Sequence, residues 1–155
     1  MISGKEQKPE DGIVERVIEL AGKNYNCSQI IIKLALEKEG KENPDLVRSV
    51  SGLGDGCGLL NETCGLMTGA ACMLAWYAGK ESGDEAPSEM LLPMLQDLGD
   101  WFEEEIQGQF KSTRCKDIAG KMVGTPAGMQ ICGRLLLRTY AKSNEILEAY
   151  GFKQN

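Results

Sequence analysis

Apolar residues recur along the chain at spacings of three and four, the period of a helix with one buried face. The runs are cut by glycine, proline, asparagine and threonine, and this punctuation divides the chain into seven helical segments. Asp11 reads as the cap of a first helix that runs to about Ala21, with Ile13, Val14, Val17, Ile18 and Ala21 on one face and Gly22 as its stop. Asn26 caps a second, and Gln29 three residues on gives the spacing of a capping box. Ile30, Ile31, Leu34 and Ala35 supply its core face and Gly40 ends it. Asn43-Pro44 opens a short third helix toward Ser51. A loop with glycine at 52, 54, 56 and 58 leads into a fourth helix, expected from about Asn61 to Ala78.

The polar run Lys80 to Ser88 separates two helical halves. A fifth helix carries Leu91, Leu95, Leu98 and Phe102, with Pro93 either near its start or kinking it. A short sixth follows Ser112 or Thr113 and stops at Gly120. Thr125-Pro126 opens the last, which runs to about Tyr150 with Ile131, Leu135, Tyr140, Ile146 and Leu147 as its apolar positions. Strand-type alternation and internal repeats are missing. The expectation is an all-α, single-domain bundle of about six to seven helices over residues 12–155, behind a disordered leader at 1–11.

Composition narrows the chemistry. With 155 residues, 42% hydrophobic and 26% charged, the chain has the make-up of one globular core. It contains no histidine, which removes Ser-His-Asp and Cys-His nucleophile systems and histidine-ligated metals. A net charge of −6 argues against a nucleic-acid partner, which calls for a basic stripe. The opening residues MISGKEQKPEDG lack the apolar run of a secretory signal, and Leu66 to Ala78 is far shorter than a membrane span. These features predict a cytoplasmic protein with no membrane insertion. In that reducing setting, clustered cysteines point to metal, catalysis or redox switching in preference to structural disulfides.

There are six cysteines, at 27, 57, 64, 72, 115 and 132, and no two make a CxxC pair. Zinc ribbons and thioredoxin-like sites, which rest on local pairs, are therefore disfavoured. Cooperation between these sulfurs has to come from tertiary structure. Cys27, Cys64 and Cys115 each fall in the expected first turn of a helix, where free N–H groups favour thiolate. Cys132 lies about two turns into the last helix near Arg134. Cys72, within Ala70-Ala71-Cys72-Met73, reads as core packing, and Cys57 sits in the glycine loop. Gly65 and Gly69 put a bare stripe on one face of the fourth helix, open to a neighbouring helix or a cofactor.

Other motifs carry less. The loop from Gly52 to Gly58 is not G-x-G-x-x-G and follows no strand, and no Gly-Lys pair has the surroundings of a phosphate loop. Glu103-Glu104-Glu105 reads as a solvated face, and Trp76, Trp101 and the seven methionines as core.

The cysteine pattern resembles the bacterial and archaeal family called C-GCAxxG-C-C, described as redox-active proteins of about this length. The first family cysteine looks like Cys27 in Asn26-Cys27-Ser28-Gln29. The box looks like Cys64-Gly65-Leu66-Met67-Thr68-Gly69, preceded by the glycine loop and Glu62-Thr63, and the last two cysteines match Cys115 and Cys132. The similarity covers about residues 12 to 150. Leu66 stands where the box has alanine, and Cys57 and Cys72 fall outside the pattern. The resemblance implies redox involvement, association with oxidoreductase and transporter systems and a prosthetic group such as an iron–sulfur cluster.

Two mechanisms fit these residues. Cys27, Cys64, Cys115 and Cys132 as thiolates could hold an iron–sulfur cluster, making the protein an electron carrier with a redox partner protein. Alternatively, one low-pKa thiolate, Cys64 or Cys115, attacks a partner disulfide or oxidant and a second cysteine resolves it. A third reading is a helical binding module whose cysteines pack or hold a structural zinc.

Overall fold

The computed structural model describes residues 10–152, so residues 1–9 of the expected leader lie outside it. Among the described residues it contains seven α-helices and no strand: α1 Ile13–Gly22, α2 Cys27–Lys38, α3 Pro44–Val50, α4 Gly65–Ala78, α5 Leu91–Ile106, α6 Cys115–Ile118 and α7 Pro126–Ala149. The chain is an all-α single domain. Among the described residues no helix is long and apolar enough to cross a membrane.

Caps account for several boundaries. The Gln29 N–H donates to Asn26 Oδ1 at 3.2 Å and the Asn26 N–H donates to Gln29 Oε1 at 3.1 Å, which completes the capping box of α2. Asn43 caps α3 and Thr125 caps α7, each followed by proline in the first turn. Two starts differ from expectation. Gly12, in a left-handed conformation, precedes α1, and Asp11 is not its cap. Helix α4 begins at Gly65 and not near Asn61, because residues 56–64 fold as a tight turn and an extended link.

The core is built around α2 and α4, which pack most extensively, with α5 and α7 against α4. Helix α2 is buried nearly all round: Ile30, Ile31, Ile32, Leu34, Ala35 and Leu36 are all inside. From α5, Met94, Leu98, Phe102 and Ile106 enter the core, and Leu135, Leu136, Tyr140, Ile146 and Leu147 do so from α7. The buried face of α1 is Val17 and Leu20, whereas Val14 and Ile18 face outward. Trp76 and Trp101 pack partly buried on the core margin. At Gly69 the backbones of α2 and α4 nearly touch, since a Cβ there would lie 2.9 Å from the Ser28 Cα.

Candidate redox site

The segment between α3 and α4 assembles the site because it is strapped to the start of α2. Ser28 Oγ donates to the Val50 carbonyl at 2.7 Å, and Asn26 Nδ2 donates to the Ser51 carbonyl at 2.9 Å. Gly54 then lies so close to the Asn26 amide that a Cβ would overlap it at 2.3 Å. Cys27, the first residue of α2, therefore faces the 53–56 backbone. From the other side comes Gly65, the first residue of α4, whose missing Cβ would sit 2.7 Å from Cys27 Sγ and 2.8 Å from the Leu53 carbonyl oxygen. The space bared by Gly65 and Gly69 is thus taken by Cys27 and Ser28 of α2.

Cys64 is the residue before α4, in extended backbone. A single antiparallel bridge, Thr63 to Arg114, ties it to the start of α6. In that bridge the Cys64 N–H donates to the Thr113 carbonyl at 2.8 Å, and the Cys115 N–H donates to the Glu62 carbonyl at 3.1 Å. Gly56, at φ +58°, lets the turn 56–60 reach Cys115, where a Cβ would be 2.9 Å from the Cys115 Cβ. Helix α6 packs on that turn and on the short 3₁₀ segment 120–122, which in turn contacts α7. There the Thr125 hydroxyl donates to the Met122 carbonyl at 2.6 Å, fixing the start of the helix that carries Cys132.

The result brings Cys27, Cys64, Cys115 and Cys132 into one electrostatic neighbourhood. Burial pushes the Cys64 thiol well above the ordinary thiol range, and the sulfurs of Cys27, Cys115 and Cys132 push it further. Burial, then Cys27, Asp55 and Cys132, push Cys115 up to about 11. Burial, then Cys27 and Asp55, do the same for Cys132, also to about 11. Cys27 is raised by burial as well, but backbone N–H groups of Asp55, Ser28 and Cys27 itself point at its sulfur and oppose the rise. The Leu66 N–H does the same for Cys64. Cys27 is the common neighbour: its sulfur is felt by the other three.

This electrostatic picture replaces the expectation of low-pKa thiols at helix starts. Helix α6 has four residues, Cys64 lies outside α4, and loss of water outweighs the partial charge of a helix end in each case. Leu66 turns its side chain into the core, fully buried, so the side chain that replaces the box alanine does not occupy the space between the sulfurs. Cys72 is half-buried on α4, and only burial acts on its thiol. Cys57 is exposed at φ +59°. Asp55 is the functional candidate that sequence reading missed. It is the one charged residue in the loop Gly52 to Gly58, and that position was its only signal. Thr68, one turn after Cys64, keeps its buried hydroxyl without a hydrogen-bond partner among the described residues.

Four thiols are the donor chemistry that an iron–sulfur cluster or zinc takes. Their arrangement does not match: among the described residues no three Cys, Asp or Glu side chains are grouped so as to hold a metal ion. All six cysteines are free thiols.

A family model described as "Putative redox-active protein (C_GCAxxG_C_C)" matches residues 25–146, which include all four of these cysteines, and the chain belongs to that family. Nothing among curated proteins or solved structures matches it.

Proposed function

We propose that this member of the C_GCAxxG_C_C family carries electrons as a thiol–disulfide couple, with Cys132 as the outer thiol and Cys27 as the inner one. The observation that carries the reading is the position of Cys27. Its sulfur acts on the other three thiols and packs against the start of α4, where a Cβ on Gly65 would lie 2.7 Å away. Nearby backbone N–H groups favour negative charge on it, while the Asp55 carboxylate opposes it. Cys64 and Cys115 are buried, whereas Cys132 is partly exposed and nearest in character to an entry point.

The exchange balances with a partner disulfide as the oxidant. Cys132 loses its proton to solvent and attacks one partner sulfur, so a mixed disulfide forms and one partner thiolate leaves and is protonated. Cys27 loses its proton to solvent and then attacks the Cys132 sulfur. The Cys27–Cys132 disulfide forms, and the second partner thiolate leaves and takes up a proton. Two thiols are oxidised here and one disulfide is reduced in the partner. With Cys132 at about 11, only about one molecule in ten thousand carries its thiolate at neutral pH. Uncatalysed exchange with small disulfides is therefore slow.

A thiolate-ligated metal centre is the alternative that donor chemistry alone would allow, although the described cysteines are not grouped to hold one. The experiment that separates the two is anaerobic purification followed by iron, zinc and acid-labile sulfide assays, then oxidation with hydroxyethyl disulfide and mapping of alkylated cysteines by mass. The exchange reading expects metal-free protein and loss of reactivity at Cys27 and Cys132 together. Stoichiometric metal with all four thiols protected overturns it.

A further inference from the structure

The chain is acidic, but its charge is unevenly placed. Residues 111–134 hold Lys111, Arg114, Lys116, Lys121 and Arg134 against one acid, Asp117, whereas the rest of the chain has 12 basic and 22 acidic residues. This basic stretch is also the stretch that carries Cys115 and Cys132. All five cations are exposed, and none makes an ion pair with a described residue. Elsewhere Arg16, Lys23, Lys38, Arg48, Arg138 and Lys142 are paired with carboxylates, Lys33 and Lys41 lie over the rings of Tyr25 and Trp76, and Lys80 makes no ion pair with a described residue. Asp117, the one acid, accepts from the Ser112 hydroxyl within its own loop.

Exposed apolar side chains lie on the same elements. Leu59 is 75% exposed on the turn 56–60, Met122 40% on the 3₁₀ segment and Met129 53% in the first turns of α7. These elements are joined in series through α6: the turn packs on α6, α6 on the 3₁₀ segment and that segment on α7. Unpaired cations and exposed, adaptable apolar side chains on one set of contacting elements have the make-up of a protein-docking surface, where charge steers the encounter and the apolar contacts hold it.

We propose that the surface formed by Leu59, Met122 and Met129, with the cations of residues 111–134 about it, docks an acidic redox protein over Cys132. The occupant follows from charge complementarity, and this inference rests on the thiol–disulfide reading above. A partner held there reaches Cys132 at high local concentration, which offsets the small thiolate fraction.

The test measures exchange between the full-length reduced protein and two oxidised probes, an acidic thioredoxin and neutral hydroxyethyl disulfide, at low and high salt. The readout is the ratio of the two rates, so changes in the thiol itself cancel. The expected ratio falls at least threefold from 20 to 300 mM salt, and as much in Lys111→Glu/Lys121→Glu at low salt. Leu59→Ser/Met129→Ser lowers it at both salt concentrations. All four are surface substitutions, and unchanged helicity by circular dichroism shows that the variants fold. A ratio indifferent to salt and to both variants overturns the docking surface while leaving the exchange reading intact. So does salt-sensitive self-association in sedimentation, abolished by Lys111→Glu/Lys121→Glu, which assigns the face to a second copy. Failure to react with either probe at any pH up to 10 removes the exchange reading itself.

Discussion

Removing water from a thiol costs more than a helix end returns, and at Cys132 and Cys115 this moves ionisation from the ordinary range to about 11. The consequence is a defined pH dependence. Iodoacetamide labelling of Cys132, followed by mass spectrometry, should accelerate about tenfold per pH unit from 7 to 10 without levelling. A plateau near pH 8 would mean that the sulfur is more solvated than its surroundings here imply. Thr68 makes the opposite kind of test. Its hydroxyl is buried with no partner among the described residues, so Thr68→Val should raise stability by about 1 kcal/mol in urea unfolding. At this scale the sequence was a partial guide. Spacing and helix position singled out the four cysteines and the N–H groups of Cys27 and Ser28 at the start of α2, but Asp55 reaches Cys27 from a left-handed turn that no local propensity announces.

At the scale of elements, the site is a product of close approach between α2 and α4 and of the strap from 51 to 64. Gly69→Ala would drive a Cβ into the Ser28 backbone and should cost about 1–3 kcal/mol. Gly133, beside Cys132 in the interior of α7, has nothing within 4 Å of its missing Cβ. Gly133→Ala should therefore stabilise the protein by about 1 kcal/mol, and thermal melts of the two variants read the contrast directly. The same distinction explains which elements could be read in advance. Helices α2, α3 and α7 carry side-chain caps and prolines whose chemistry is local, and their starts follow from sequence. The start of α4 does not, because the antiparallel bridge from Thr63 to Arg114, far along the chain, holds 62–64 extended. On α1 the 3.6 period admits two neighbouring faces, and packing against α2 selects the one with Val17 and Leu20.

For the whole molecule, the raised thiols tie stability to pH. Between an ordinary thiol's ionisation near 9 and about 11, the unfolded chain loses these protons while the folded one keeps them. Fewer protons bound in the unfolded state means that stability falls as pH rises through that window. Thermal midpoints should accordingly drop from pH 9 to 11, and less so in Cys115→Ser/Cys132→Ser. The family description supplies a redox frame, and the fold brings Cys27, Cys64, Cys115 and Cys132 within electrostatic reach of one another in a chain of net charge −6. The most direct test of that account is a thiol count on anaerobically purified, metal-assayed protein before and after equilibration with excess oxidised hydroxyethyl disulfide. The account predicts metal-free protein with six thiols before oxidation and, after it, a Cys27–Cys132 disulfide found by mass, with exposed Cys57 open to capping by the reagent. Six thiols both before and after oxidation, or bound iron with acid-labile sulfide, would contradict it.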